Sequence, residues 1–180
     1  MLLLVDNGSI YTKNITNFLS TKKIPFTLLS YNNISSEELD RFQSFILSGR
    51  RKNNKEMNAI NSKIINYSIL KNKPLLGICY GAEILALTLG GTIKKMQTAQ
   101  KGNSKIITIH ENPICTGTLE VFQSHNFEIS KLGKSFIQVA KSELCNYEII
   151  QYKNSRIFGT QFHPEMTQDG LALIENFLLL

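Results

Sequence analysis

Cysteine is scarce in this chain. Its three thiols, Cys79, Cys115 and Cys145, form no Cys-x-x-Cys pair and no metal-ligand spacing, which excludes a zinc ribbon or a disulfide framework. Long apolar runs are also missing, so no segment is predicted to cross a membrane. The opening Met-Leu-Leu-Leu-Val is too short for the apolar core of an export signal. An odd cysteine count without such a signal implies free thiols in a reducing cytoplasm, with Cys115 and Cys145 as packing residues. Internal repeats, low-complexity tracts and linkers are absent, so residues 1–180 read as one domain with no second catalytic unit fused to it. There is no ATP-binding motif. Basic residues outnumber acidic ones by 20 to 14, for a formal charge of +6. The densest basic run, Arg50, Arg51, Lys52 and Lys55, lacks the aromatic interleaving of a nucleic-acid binder. It reads either as a solvated loop or as a contact for a partner subunit or its nucleotide. The rest is ordinary for a globular protein: 42% hydrophobic and 19% charged residues, at a length that supports a real core.

The hydrophobic pattern predicts alternating strands and helices. Strands are expected at Leu2–Val5, Ile24–Leu29, Phe45–Leu47 and Leu75–Ile78. Helices are expected at Tyr11–Thr21, from Ser35 or Ser36 to Phe42, at Glu56–Leu70 and at Gly81–Leu89. Such alternation means a mostly parallel central sheet with helices on both faces, an α/β fold of flavodoxin-like type. From Thr92 to Arg156 the pattern changes to short alternating runs, at Lys105–Ile109, Leu119–Phe122, Phe136–Ala140 and Tyr147–Tyr152. These predict a small antiparallel addition. Ile157–Phe162 returns to the core, and Asp169–Leu180 closes the chain as a helix.

The most informative stretch is Pro74-Leu-Leu-Gly-Ile-Cys-Tyr-Gly-Ala-Glu83. A short apolar strand ends at a cysteine framed by Gly77 and Gly81, and a helical pattern follows at once. A strand-to-helix elbow needs small neighbours and lifts its central side chain to the top of the sheet. A sulfur at a helix N-terminus sits in a field that favours thiolate. A buried packing cysteine is the alternative. Further on comes Gly159-Thr-Gln-Phe-His163-Pro-Glu165. In an extended segment His163 and Glu165 share a face, so the carboxylate can orient the imidazole as a base for a nucleophile. Strands ending at Gly49 and Cys79 place both at the carboxyl edge, where parallel sheets bind ligands.

Together the two segments resemble the signatures of the class I glutamine amidotransferases, a likeness that extends over nearly the whole chain. The resemblance implies Cys79 as nucleophile, His163 as general base and acid, and Glu165 as the group orienting His163. It implies an oxyanion hole of backbone N–H groups at Gly49 or Arg50 and at Tyr80, and hydrolysis of glutamine to glutamate and ammonia through a thioester. No cofactor and no metal are implied. Within the family, residues 3–12, the Ser124-His125 pair and the Phe162–Thr167 ending resemble the glutaminase subunits of two-subunit, archaeal-type GMP synthases. That group passes ammonia to a separate ATP-pyrophosphatase synthetase subunit, and the resemblance gives His125 and Ser124 a place near the substrate or the coupling side. Other readings are the glutaminase of anthranilate or aminodeoxychorismate synthase, a stand-alone γ-glutamyl hydrolase, or a non-catalytic regulatory relative.

Two departures stand out. The family usually has glutamine where this chain has Glu83, a position that helps hold substrate; a carboxylate there can engage an ammonium but repels a carboxylate. It usually has Ser-Gly-Gly-Pro where this chain has Ser48-Gly49-Arg50-Arg51. Glu83 can otherwise lie on the helix surface, and Arg50 in a loop that still turns.

Overall fold

The computed structural model describes residues 1–153 and 155–180. Nine strands form one mixed sheet: β1 (Leu2–Asn7), β2 (Phe26–Ser30), β3 (Ser44–Arg50), β4 (Leu75–Ile78), β5 (Thr92–Thr108), β6 (Thr118–Lys131), β7 (Phe136–Lys141), β8 (Ile149–Tyr152) and β9 (Ile157–Thr160). Their order across the sheet is β2-β1-β3-β4-β9-β8-β7-β5-β6. The first five in that order are parallel, and the rest join antiparallel. Helices α1 (Thr12–Thr21), α2 (Lys55–Leu70), α3 (Tyr80–Thr88) and α4 (Gln168–Leu178) cover the parallel half. None of these is long and apolar enough to cross a membrane, among the described residues.

Successive strand residues point to opposite faces, and here both faces are apolar, as a sheet covered on two sides requires. Leu2, Leu4, Ile46, Leu76 and Ile78 pack with Ile15 and Leu19 of α1 and with Leu173, Ile174 and Phe177 of α4. Leu3, Val5, Phe45, Leu47 and Leu75 pack with Met57, Ile64 and Ile65 of α2 and with Leu85 and Ala86 of α3. The helix starts are fixed locally. Asn54 accepts from the N–H groups of Glu56 and Met57 at the head of α2, and Thr167 accepts from Gly170 N at the head of α4. Of the two candidate caps before Leu39, Ser35 is the one used; it heads a 3-10 turn, Ser36–Arg41, rather than an α-helix.

Two expectations are corrected. The expected strand Phe45–Leu47 stops short of Ser48 and Gly49, yet both lie inside β3, because Asn7 binds across to Ser48. Asn7 N–H donates to Ser48 Oγ (2.9 Å), and its side-chain amide donates to Ser48 O (3.0 Å). The separate runs at Lys105–Ile109 and Leu119–Phe122 are parts of one long hairpin, β5–β6. Its inward row on β6 runs Leu119, Val121, Gln123 and His125, apolar and then polar, so hydrophobicity stops marking the strand halfway along it.

Candidate active site

The parallel strands deliver their carboxyl ends to one edge. At the end of β4 the chain enters α3 through Cys79, whose φ is 51° and ψ −102°. A non-glycine residue there is strained, and the surrounding backbone holds it. Cys79 N–H donates to Thr160 O at the end of β9 (2.7 Å), while Cys79 O accepts from the N–H groups of Ala82 and Glu83, both 3.0 Å. The flanking glycines are required by contact. A Cβ on Gly77 would lie 2.4 Å from Gly81 O. One on Gly81 would lie 2.4 Å from Leu47 O.

The thiol departs from expectation. Burial pushes it up, the charges of Glu83 and Glu165 add to that, and the Tyr80 N–H and Arg50 only partly offset them. The helix-terminus field that favours thiolate is outweighed by desolvation, since Cys79 is 8% exposed. Cys115 and Cys145, expected to be packing residues, are buried as well.

His163 follows β9. Its N–H donates to Phe122 O on β6 (2.9 Å), and its ring Nδ1 is 2.8 Å from Glu165 Oε1. A carboxylate at that distance fixes the hydrogen on Nδ1 and leaves Nε2 as the acceptor. Both side chains are nearly buried, at 3% and 4% exposure. The Tyr11 ring meets the imidazole edge-on with centroids 4.6 Å apart, and Tyr11 Oη donates to Ser124 Oγ (3.3 Å). Gly49 lies against the same imidazole, where a Cβ would meet His163 Cε1 at 3.0 Å.

The structure thus gathers Cys79, Tyr80, Gly49, Arg50, His163 and Glu165 at one edge, with Ser124 tied to it through Tyr11. His125 is held differently. Its Nδ1 is 2.8 Å from Phe127 O and its Nε2 is 2.9 Å from Gln123 Oε1, so both ring nitrogens are engaged by the hairpin. Burial pushes the His125 imidazole below its usual range. Gln123 in turn donates to Glu148 Oε1 (2.9 Å), a carboxyl with no exposure at all, which burial raises to about 6.

Glu83 is not on the helix surface, and Arg50 is not in a solvated loop. Glu83 is 4% exposed, and its Oε2 lies 3.6 Å from Arg50 Nη2. Gln161 Nε2 donates to Glu83 Oε1 at 3.5 Å. The Arg50 guanidinium sits over the Tyr80 ring, 4.3 Å from its centroid, and donates to Asn53 Oδ1 through Nη1. The two departures from the family pattern therefore face one another. Arg51, Lys52 and Lys55 do remain exposed. Gln161 went unread in the sequence, as did the Asn7–Asn61 amide pair that braces β3 (Asn61 Nδ2 to Asn7 Oδ1, 2.8 Å). Asn7 at the end of β1 and Gln161 just past β9 each interrupt an apolar run, which is their signal; Asn61 lies within α2. Among the described residues, no group of three or more His, Cys, Asp or Glu side chains is placed to hold a metal ion.

The family model for class-I glutamine amidotransferases matches residues 3–180. The chain belongs to that family. It is 33% identical to one subunit of the glutamine-hydrolysing GMP synthase of Thermoplasma acidophilum, an alignment covering 98% of this chain and 90% of that one. It is 33% identical to the GMP synthase of Thermosipho melanesiensis, covering 98% of this chain but 35% of the longer protein. Among solved structures, a protein from Thermoplasma acidophilum described as a GMP synthase subunit superposes with a TM-score of 0.87 at 31% identity, over 98% of this chain and 91% of the other.

Proposed function

We propose that this amidotransferase is the glutaminase subunit of a GMP synthase. It hydrolyses glutamine at Cys79 and hands the ammonia to a separate ATP-pyrophosphatase subunit that converts XMP to GMP. The observation that carries the reading is the strained, buried Cys79 elbow set beside a His163–Glu165 pair on the same sheet edge. Relatives of nearly the same length that are named as individual subunits of GMP synthase support the division of labour.

The Cys79 sulfur attacks the side-chain carbonyl carbon of glutamine as its proton passes to His163 Nε2. The developing oxyanion is met by backbone N–H groups at Tyr80 and at Gly49 or Arg50. When the tetrahedral adduct collapses, the carbon–nitrogen bond breaks and His163 returns the proton to the departing ammonia. His163 then takes a proton from water, which attacks the γ-glutamyl thioester and releases glutamate and the thiol. Glu165 keeps the hydrogen on Nδ1 throughout and stabilises the imidazolium. No cofactor enters these steps. Ser124 flanks the site through Tyr11, His125 is held within the hairpin beside it in sequence, and the exposed Arg51, Lys52 and Lys55 offer a basic surface to the synthetase or its nucleotide.

Burial favours the neutral thiol at Cys79, so the mechanism has His163 take its proton as the sulfur attacks. Mass mapping after exposure to a diazoketone analogue of glutamine tests the reading, with Cys115 and Cys145 as internal controls. Selective modification of Cys79, prevented by glutamine and faster with the partner and its nucleotides, is expected. Absence of selective labelling under both conditions defeats it.

A further inference from the structure

We propose that the cavity inside the bend of β5 binds a guanine mononucleotide, with Gln100 and Glu128 reading the base and Lys95 and Lys101 holding the phosphate. The proposal rests on the GMP synthase reading above, which makes this cavity a second site, for the partner's product.

The cavity comes from a mismatch between the two hairpin strands. Lys95 pairs with Phe127 and Gln100 pairs with His125, so residues 96–99 of β5 stand opposite Asn126 alone. Surplus residues of this kind bend a strand. The curve of residues 94–104 lines a cavity of about 690 Å³, and Gln123 and Glu128 of β6 line it as well. That volume is in the range of small-molecule sites. Cys79, His163 and Glu165 are not part of its lining. Gln123 nevertheless follows Phe122, whose carbonyl accepts the His163 N–H, so an occupant lies one residue from the strand position that holds His163.

The lining has capacity to spare. Gln100 Nε2 is buried with no hydrogen-bond partner among the described residues, an orphan donor that a ligand oxygen would satisfy. Glu128 is buried, and Lys94 Nζ lies 3.1 Å from its Oε1; a carboxylate with one such contact keeps further acceptor sites. Lys95 and Lys101 are exposed and enter no ion pair among the described residues. The ligand these groups ask for carries an oxygen acceptor, adjacent N–H donors and an anion. Guanine offers O6 to the Gln100 amide, and its ring N–H and amino group to the Glu128 carboxylate. A phosphate supplies the anion for the lysines. Xanthine has an oxygen in place of the amino group, which a carboxylate repels. The site therefore separates GMP from its precursor XMP.

Calorimetric titration of the full chain with GMP, XMP, guanosine and inorganic phosphate tests the proposal. GMP should bind roughly 10–100-fold more tightly than XMP, and more tightly than guanosine or phosphate. In Glu128→Gln the new amide can donate to the xanthine oxygen, so GMP and XMP should come within about twofold of each other. Replacing Lys95 and Lys101 together by alanine should weaken GMP roughly tenfold and leave guanosine unchanged. GMP bound no better than phosphate, XMP bound as tightly as GMP, or a Glu128→Gln chain that keeps the preference overturns the proposal. If Glu128→Gln does not fold, the wild-type ratio of GMP to XMP and the exposed lysine variant decide. No catalytic step enters this titration. A chain that binds GMP selectively but takes no label at Cys79 fails the glutaminase reading alone, and one that takes the label but binds no GMP fails this proposal alone.

Discussion

Gly81 approaches the carbonyl oxygen of Leu47 so closely that a Cβ on it would come within 2.4 Å. This contact locks the first turn of α3 onto the end of β3 and so fixes the sheet edge beside Cys79. Gly81→Ala should cost about 3 kcal/mol, the upper end for overpacking, because the atom it strikes is backbone and cannot swing away. That is a fall in Tm of about 6–12 °C for a domain of this size. Gly117→Ala is the control. Its φ of 70° is unfavourable, but nothing lies within 4 Å, so it should cost only about 1 kcal/mol.

Cys79 bears backbone strain that the fold sustains for the sake of the elbow. Alanine at position 79 keeps the strain, while glycine relieves it. Strain of this kind is worth about 1–3 kcal/mol, and the extra freedom of glycine in the unfolded chain takes back about 0.4–1 kcal/mol. Cys79→Gly should therefore be more stable than Cys79→Ala by about 1 kcal/mol in urea denaturation, with both variants devoid of glutaminase activity. Equal midpoints would mean that the strain is no larger than the entropy cost of glycine, about 0.4–1 kcal/mol.

Glu165→Gln preserves volume but presents an amide to His163 Nδ1. The amide can donate, which stabilises the wrong tautomer. If Glu165 orients His163 as proposed, kcat should fall about 10⁴-fold with KM little changed. A loss of less than tenfold would remove Glu165 from the mechanism.

Much of this arrangement was legible in the residue order, and the exceptions share a cause. The bounds of β4 were readable, and those of α2 to within one residue at its start, because glycine and apolar spacing act locally. β5 was not, since most of its residues are solvent-facing and its partner β6 sets its register. The contact between Arg50 and Glu83 was equally hidden, because strand β3 and helix α3 meet only in three dimensions. The state of the Cys79 thiol depends on burial, which no local pattern reports; the helix terminus is only one of two opposing effects on it.

Glu148 gives a pH dependence with a definite sign. Its carboxyl titrates at about 6 in the folded protein against an ordinary 4.5, chiefly through burial. The folded state binds that proton more tightly than the unfolded state does. Its contribution to stability is therefore full below pH 4.5 and is lost as pH rises through 6. At about 1.4 kcal/mol per pH unit the loss amounts to about 2 kcal/mol. Glu148→Gln should flatten the stability profile across that window and be more stable than wild type at about pH 8, as read by urea midpoints. An unchanged profile would show that Glu148 is not the group responsible.

Strand β9 lies between β4 and β8, although β4 ends at Ile78 and β9 begins only at Ile157. While the ribosome adds residues 79–156, the nascent chain carries β4 with one apolar edge unpaired, open to other chains. Closure waits for the β5–β8 excursion to fold back and present its neighbour. The bond from Cys79 N to Thr160 O forms in that same closure. The pairing that completes the sheet is thus also the one that holds the Cys79 elbow, so the elbow takes its shape only once residues far along the chain are in place.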